Sequence, residues 1–309
     1  MEEQQNYQYD YERPPQKPVQ KPKRRFLRIW GPLLLKFLIV YVISCIFSAV
    51  LMANHLHEAV GLDTQKIAEY MAVEENFNTV YYEIMEESVQ YATILEGLAA
   101  AITIPILLIM FFRDRAKEKL AGIIQEQKVQ LWKYIAIIVM STALCMGINN
   151  LLYISNLMAL SSAYEETMQA LYTPSLGIQI VCLGILIPVC EELVFRGLMY
   201  KRLREHAGFI SAMLYSALIF SFVHVNIVQS VYAFVMAVVF AFVYEKYHSV
   251  KAPVIAHVTA NVFAVLATHY NLFDWIMAEP MRAGMLTVAC AFVAASMYVF
   301  IQRMDEVNW

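Results

Sequence analysis

The stretch ILIPVCEELVFRGLMYKRLRE, residues 185–205, determines how the rest of this chain is interpreted. Two adjacent carboxylates, Glu191 and Glu192, and the guanidinium of Arg196 lie in a segment that is otherwise apolar enough to be buried in a membrane. A charged side chain at the centre of a bilayer costs about 2.5–3.5 kcal/mol on insertion scales, which makes it a candidate functional residue. The remaining sequence indicates whether this segment spans a membrane and which residues act with the three charges.

Composition and the spacing of apolar residues predict an all-α, polytopic integral membrane protein with about eight transmembrane helices. Hydrophobic residues make up 60% of the 309 residues and charged residues 16%, whereas soluble domains have about 45–50% and about 25%. A spanning helix needs about 20 apolar residues, and it pairs its own backbone groups where lipid offers no partners. The apolar blocks are 29–53, 91–112, 133–154, 175–199, 209–228, 230–245, 252–269 and 283–301.

The distribution of lysine and arginine predicts the orientation of this bundle. Basic residues are enriched in the cytoplasmic loops of membrane proteins. Here they cluster in the N-terminal tail and after the second, fourth, sixth and eighth blocks, which lie on one side of an eight-helix chain. On the other side, Lys66 is the only basic residue between the first two blocks, and there is none between the third and fourth. We therefore expect a multi-pass protein of the cell membrane with both termini in the cytoplasm.

Composition also divides the chain into three parts. Residues 1–28 are polar, contain proline and end in basic residues, which predicts a disordered cytoplasmic tail. Residues 29–170 are predicted to hold the N-terminal transmembrane helices and an acidic, partly helical external hairpin, and residues 171–309 the C-terminal helices with the polar motifs. The five cysteines all lie in apolar blocks and none forms a CxxC pair, so neither a disulfide framework nor a zinc cluster is expected.

Glu191 and Glu192 are predicted to have different roles. Glu192 and Arg196 are four residues apart, a spacing that allows an ion pair on one face of a helix. Glu191 points about 100° away from Glu192 on an α-helix. One carboxylate is therefore expected to be held by the arginine, while its neighbour is free to act.

Two further polar groups follow in later blocks. His224 lies in LIFSFVHVN, and His257 and Asn261 share a helix face in KAPVIAHVTANVFAV. Either group alone is as readily explained by hydrogen bonds between helices. Together with a carboxylate they suggest hydrolysis, because a carboxylate in a low-dielectric pocket has its pKa raised towards neutrality and can take a proton from water. A histidine can orient that water, and a second histidine with an amide can donate to a developing oxyanion.

These residues resemble the three motifs of the CAAX-protease and bacteriocin-processing family of intramembrane endopeptidases. This family includes the Rce1-type prenyl-protein endopeptidases and their bacterial relatives. EELVFRG corresponds to EExxxR, FSFVH to FxxxH and HVTAN to HxxxN, in the family's order and within residues 175–270. The resemblance implies an eight-helix membrane bundle, in agreement with the number of apolar blocks.

The resemblance also implies a role for each polar residue. The first glutamate activates water with help from the histidine of the second motif. The histidine and asparagine of the third motif form an oxyanion hole, while the second glutamate and the arginine hold the site in shape. The residues concerned are Glu191, Glu192, Arg196, His224, His257 and Asn261. The implied partners are the lipid bilayer and a membrane-associated peptide or protein substrate, either prenylated or of the leader type, and we expect no nucleic acid.

A metal site is the alternative that the same residue types allow. Glu191, His224 and His257 could form a His₂Glu zinc set. The HExxH pattern is absent, and the water-activating mechanism implied by the resemblance needs no ion. We therefore expect no cofactor, and a bound divalent metal is the less favoured hypothesis.

Three other functions are compatible with part of the sequence. Buried Glu, Arg and His residues also mark ion-coupled transporters, although the paired, interrupted helices of transporter repeats are not seen. A non-enzymatic immunity or scaffold protein could retain the motifs. A cysteine protease could pair Cys190 with His224, but Cys190 precedes Glu191 directly and faces a different direction.

If each apolar block is a straight spanning helix, Glu191 and His224 lie at different depths in the membrane. At about 1.5 Å per residue, Glu191 lies roughly 15 Å from Lys201, and His224 about 22 Å from Phe209. The two must meet in one cavity if both act on one bond. Helix tilt or an interfacial start to the fifth block would reconcile them.

Overall fold

A computed structural model of the chain describes residues 22–122, 130–159, 161–224 and 226–303. All regular structure within these residues is helical, which confirms the all-α prediction. The helices are α1 (Pro22–Val60), α2 (Thr64–Met71), α3 (Glu74–Gln90), α4 (Ala92–Leu120), α5 (Tyr134–Ile154), α6 (Ser162–Tyr172), α7 (Leu176–Arg204), α8 (Phe209–Phe222), α9 (Ile227–Tyr247), α10 (Lys251–His269), α11 (Leu272–Met277) and α12 (Pro280–Arg303).

Seven of the described helices, α1, α4, α5, α7, α9, α10 and α12, are long and apolar enough to cross a membrane. The polytopic helical bundle predicted from the sequence is thereby confirmed. The fifth predicted span, 209–228, is shorter than expected, since α8 has 14 residues and the chain turns before α9 begins. A helix of that length covers about 21 Å, against about 30 Å for the hydrocarbon core.

The predicted boundary of the N-terminal tail at residue 28 is wrong. Helix α1 begins at Pro22, and proline is well suited to the first turn of a helix. Arg28 then donates two hydrogen bonds, of 2.5 and 2.7 Å, to Glu205 beyond the end of α7. Residues 22–28, four of which are basic, therefore extend the first helix. Residues 1–21 lie outside the described part of the chain.

The segment predicted as an acidic, partly helical hairpin consists of α2 and α3. Asp63 caps α2, because its Oδ1 accepts from the backbone N–H groups of Gln65 at 2.9 Å and Lys66 at 3.3 Å. Helix α3 packs against α1, α4 and α6. Most of this segment is helical, while the side of the membrane on which the hairpin lies stays a prediction.

Helix α7 carries the glutamate pair in a short α-helical segment that has a π-helical segment on each side. The segments Ile180–Leu186 and Leu193–Tyr200 are π-helical, and Ile187–Glu192 between them is α-helical. A π-helix bonds each N–H to the carbonyl five residues back, so residues five apart approach the same face as residues four apart. Arg196 is consequently within electrostatic range of both Glu191 and Glu192.

Two glycines allow neighbouring helices to lie unusually close to α7. A Cβ atom on Gly97 of α4 would be 2.4 Å from the Sγ atom of Cys182, and one on Gly184 would be 2.8 Å from Val262 of α10. Small residues at helix contacts are the usual means of close packing in membranes. The two contacts hold α4 and α10 against the part of α7 that precedes the glutamates.

One end of the bundle is closed by ion pairs between helices. We call it the basic end: it is where α1, α5, α8 and α10 begin and where α4, α7, α9 and α12 end. The pairs join α1, α4, α7 and α9 to one another or to the α7–α8 connection. They are Arg28–Glu205, Arg202–Asp114, Lys201–Glu118 and Arg204–Glu245.

Candidate active site

Four of the six predicted site residues line one cavity of about 580 Å³. We call it the Glu191 cavity. Its walls come from nine helices, α1 and α3 to α10, and from the turn that follows α8. The four residues are Glu191, His224, His257 and Asn261. The other two, Glu192 and Arg196, are fully buried and lie directly behind the cavity.

The packing of α7 against α8 resolves the disagreement in depth between Glu191 and His224. The rings of Phe195 and Phe220 meet edge to face with their centroids 4.9 Å apart, so these two residues are level. The two helices run in opposite directions along the bundle. Four residues back from Phe195 is Glu191, and four residues on from Phe220 is His224, so the two polar side chains reach the same depth.

Glu192 links Arg196 to His257 through a single carboxylate oxygen. Its Oε1 accepts a hydrogen bond of 2.8 Å from Arg196 and lies 3.0 Å from Nδ1 of His257. The predicted pairing of Glu192 with Arg196 at a spacing of four residues is therefore present. The contact between Glu192 and His257 joins α7 to α10 and was not predicted from the sequence.

Arg196 is held by uncharged groups as well as by Glu192. It donates a 3.0 Å hydrogen bond to the carbonyl of Ala237 in α9. Its guanidinium carbon lies 4.7 Å from the ring centroid of Phe220 and 5.3 Å from that of Phe240. Cation–π contacts strengthen when the cation is away from water, and Arg196 has no exposed surface.

The hydrogen bonds of the two histidines define which nitrogen of each ring faces the cavity. Nδ1 of His224 lies 2.8 Å from the carbonyl oxygen of Phe220. A carbonyl only accepts, so Nδ1 carries the hydrogen and the neutral ring presents Nε2 as an acceptor. Nδ1 of His257 faces an acceptor as well, the Glu192 carboxylate, so its Nε2 donates only when the ring is protonated.

Glu191 has a charged partner that sequence reasoning missed. Nζ of Lys36 in α1 lies 3.0 Å from Oε1 of Glu191, and both side chains are largely buried. The other oxygen, Oε2, lies 3.9 Å from Nε2 of His257. The expectation that the glutamate next to Glu192 is left free is therefore wrong. The signal was present, because Lys36 is a lone charge inside the apolar block 29–53.

Asn261 is positioned by the unusual winding of α7. Its Nδ2 donates a 3.0 Å hydrogen bond to the carbonyl of Leu183, which lies in the first π-helical segment. In a π pattern this carbonyl would be paired with residue 188, which is a proline and has no N–H. The amide of Asn261 supplies a donor to this carbonyl and retains its second N–H for another acceptor.

Helix α6 covers one side of the cavity and contributes seven lining residues between Tyr164 and Tyr172. Helix α6 is fastened by hydrogen bonds from Thr93 to the Leu171 carbonyl at 3.0 Å and from Gln179 to the Tyr172 carbonyl at 2.9 Å. Burial raises the pKa of Tyr164, and it raises the pKa of Tyr172 to about 12. Both hydroxyls therefore stay neutral near pH 7 and can serve as hydrogen-bond donors.

The structure bears on two alternatives that the sequence left open, a cysteine protease that uses Cys190 and a metal site. Cys190 has no exposed surface, belongs to an apolar cluster and does not line the cavity. Among the described residues, no three His, Cys, Asp or Glu side chains are grouped in a way that would hold a metal ion.

Comparisons with known proteins agree with the motifs. Residues 173–263 match a family model described as "Type II CAAX prenyl endopeptidase Rce1-like". Over 89 residues the chain is 32% identical to a protein of Bacillus subtilis (strain 168) described as "Putative membrane peptidase YdiL", a match that covers 29% of this chain and 36% of that protein. The chain thus spans just over one third of the relative's length. No solved structure matches it.

Proposed function

We propose that this protein is a membrane-embedded endopeptidase that hydrolyses a peptide bond with water activated by Glu191. The observation that carries this proposal is the convergence of a carboxylate, two imidazoles and an amide on one buried cavity. The similarity of residues 173–263 to Rce1-like endopeptidases supports the same reaction class. The substrate is a peptide or protein held at the membrane.

In the first step, a water molecule between Glu191 and His224 attacks the peptide carbonyl. Glu191 takes one proton of the water as general base, and the unprotonated Nε2 of His224 accepts the other hydrogen without removing it, which orients the water. A bond forms between the water oxygen and the carbonyl carbon, and the carbonyl oxygen becomes an oxyanion. Preorganised donors at an oxyanion are worth about 10²–10³ in rate each.

The oxyanion is stabilised by α10. The second N–H of Asn261 is one donor, and Nε2 of His257 is the other when its ring is protonated. Glu192 and Glu191 supply the negative charge that such an imidazolium needs, at 3.0 and 3.9 Å. When the tetrahedral intermediate collapses, the C–N bond breaks and the leaving nitrogen takes the proton from Glu191.

Lys36 gives Glu191 a fixed orientation. Its ammonium binds Oε1, which leaves Oε2 directed towards His257 and the cavity. It also compensates the carboxylate's charge without a metal ion. We therefore propose that the reaction needs no cofactor.

The proposed function is tested by comparing the membrane peptides of cells that carry the unaltered protein with those of cells that carry Glu191→Gln. Mass spectrometry should find at least one intact peptide that accumulates in the variant and is replaced by two fragments in the control. Identical peptide profiles would favour a non-enzymatic or transport function instead.

Replacing Cys190 by alanine is expected to leave cleavage nearly unchanged. The thiol is buried among apolar side chains and does not line the Glu191 cavity, so a substrate carbonyl bound in the cavity would not contact it. The measurement is the rate of peptide cleavage by the purified variant, next to its melting temperature. Loss of cleavage in a folded Cys190→Ala protein would instead support a thiol nucleophile.

A chelator such as EDTA is expected to leave the cleavage rate unchanged. Lys36 already neutralises Glu191, and one nitrogen of each cavity histidine is bound to a protein acceptor. The assay is cleavage by the purified protein before and after chelation, with zinc added back. Strong inhibition that zinc reverses would establish a metal mechanism.

A further inference from the structure

The Glu191 cavity extends towards the end of the bundle that lies opposite the basic end. We call this the open end: it is where α4, α7, α9 and α12 begin and where α1, α5, α8 and α10 end. Beyond the catalytic residues, the walls come from residues close to these termini. Examples are Ala92 and Glu96 of α4, Asn149 and Leu152 of α5, and Val228 and Gln229 of α9.

Towards the basic end, α7 is closely packed against its neighbours in the part of the chain that the structure describes. The part of α7 that follows Glu192 is packed on all sides, since all eight residues of Leu193–Tyr200 are buried. The four ion pairs of the basic end lie beyond this packed segment. A peptide approaching from the basic end would have to break both layers before it reached Glu191.

The charges in the cavity restrict what it can receive. Glu96 and Glu166 line the walls in addition to Glu191, while Lys36 is the one lysine or arginine among the lining residues. The rest of the wall is mainly apolar or aromatic, with contributions such as Met168 and Leu171 from α6. A segment that is apolar where it is buried and positively charged where it leaves the cavity fits these walls.

We infer that the substrate reaches Glu191 from the open end, passing beneath α6, as an apolar peptide segment with basic flanking residues. This inference rests on the proposed endopeptidase function and names the side on which that function is exerted. Basic loops face the cytoplasm, so the open end faces away from it. The substrate is then a peptide exposed on the outer side of the membrane and not a cytoplasmic chain terminus.

Accessibility can be measured without any catalytic activity by labelling single cysteines in intact cells. The background is Cys45→Ala, since the other four cysteines are buried. Met168→Cys places a thiol in the cavity, and Gln169→Cys, on the next residue of α6, is the matched control outside it. Thr64→Cys in α2 and Lys119→Cys near the end of α4 mark the two sides of the membrane.

The probes are two membrane-impermeant methanethiosulfonates of similar size, one carrying a trimethylammonium group and the other a sulfonate. We expect the cationic reagent to label Met168→Cys in intact cells as completely as Thr64→Cys, and the anionic reagent to label it more slowly. Lys119→Cys should be labelled only in inverted membranes. Labelling should abolish cleavage in Met168→Cys and spare it in Gln169→Cys.

The possible results separate this inference from the proposed function. Labelling of Met168→Cys or Thr64→Cys only in inverted membranes would overturn access from the outer side, even if cleavage persists. Equal or faster labelling by the anionic reagent would overturn the basic character of the substrate. External labelling together with unchanged peptide profiles in Glu191→Gln cells would support access from the open end and refute the proposed endopeptidase function.

Discussion

Glu191→Gln is expected to abolish peptide cleavage while leaving the protein folded in detergent. Glutamine keeps an oxygen that accepts from Lys36, but it cannot take a proton from water, and general base catalysis typically contributes about 10²–10⁴ to a rate. The uncompensated ammonium of Lys36 remains within electrostatic range of Glu96, which limits the loss of stability. The measurements are the cleavage rate and the melting temperature of the purified variant.

Glu165→Gln is the matched control for this substitution. Glu165 lies on the exposed face of α6, does not line the cavity and loses the same charge on replacement. It should cleave at the unaltered rate. A Glu191→Gln protein that is stable and cleaves normally would show that the site lies elsewhere in the chain.

Arg196→Ala is expected to lower the free energy of unfolding by about 3–5 kcal/mol, because removing one partner of a buried ion pair leaves the other charge uncompensated. Glu192 has no exposed surface, and Arg196 is its only arginine or lysine partner among the described contacts. The substitution also removes the bond to the Ala237 carbonyl and the contacts with two phenylalanine rings. Thermal unfolding in detergent, with the yield of membrane-inserted protein, measures the effect.

Arg196→Lys separates charge from geometry in this experiment. Lysine keeps the positive charge but cannot hold Glu192 and the Ala237 carbonyl with a planar fork of donors. We expect a stability between that of the unaltered protein and that of Arg196→Ala. If Arg196→Ala were stable and inactive while Glu191→Gln unfolded, the chemical and structural roles of the two residues would be the reverse of those proposed.

The parts of the site that sequence could predict are those fixed within one helix. The spacing of Glu192 and Arg196 is local, so their ion pair follows from helical geometry alone. The pairs Glu191–Lys36 and Glu192–His257 join residues 155 and 65 positions apart. Such pairs depend on which helices pack together, and hydropathy contains no information on that.

The errors in the fold also have identifiable physical causes. The apolar block 209–228 runs through the turn between α8 and α9, so hydropathy could not detect that the helix ends at Phe222. Asn226 was the available signal, because it caps α9 by accepting from the Gln229 N–H at 2.9 Å. The π-helical segments of α7 have no comparable signature, although Pro188 falls where the first of them gives way to an α-helical turn.

The position of Lys36 in α1 has a consequence for how the protein is made. Lys36 is synthesised 155 residues before Glu191, an interval on the order of ten seconds at about 5–20 residues per second. During that time its ammonium can extend along the helix to the interface or approach Glu96 once α4 has been inserted. When α7 leaves the ribosome, it brings a carboxylate into a membrane that already holds the matching cation. The positive charge that compensates Glu191 is thus in the membrane before Glu191 itself is inserted.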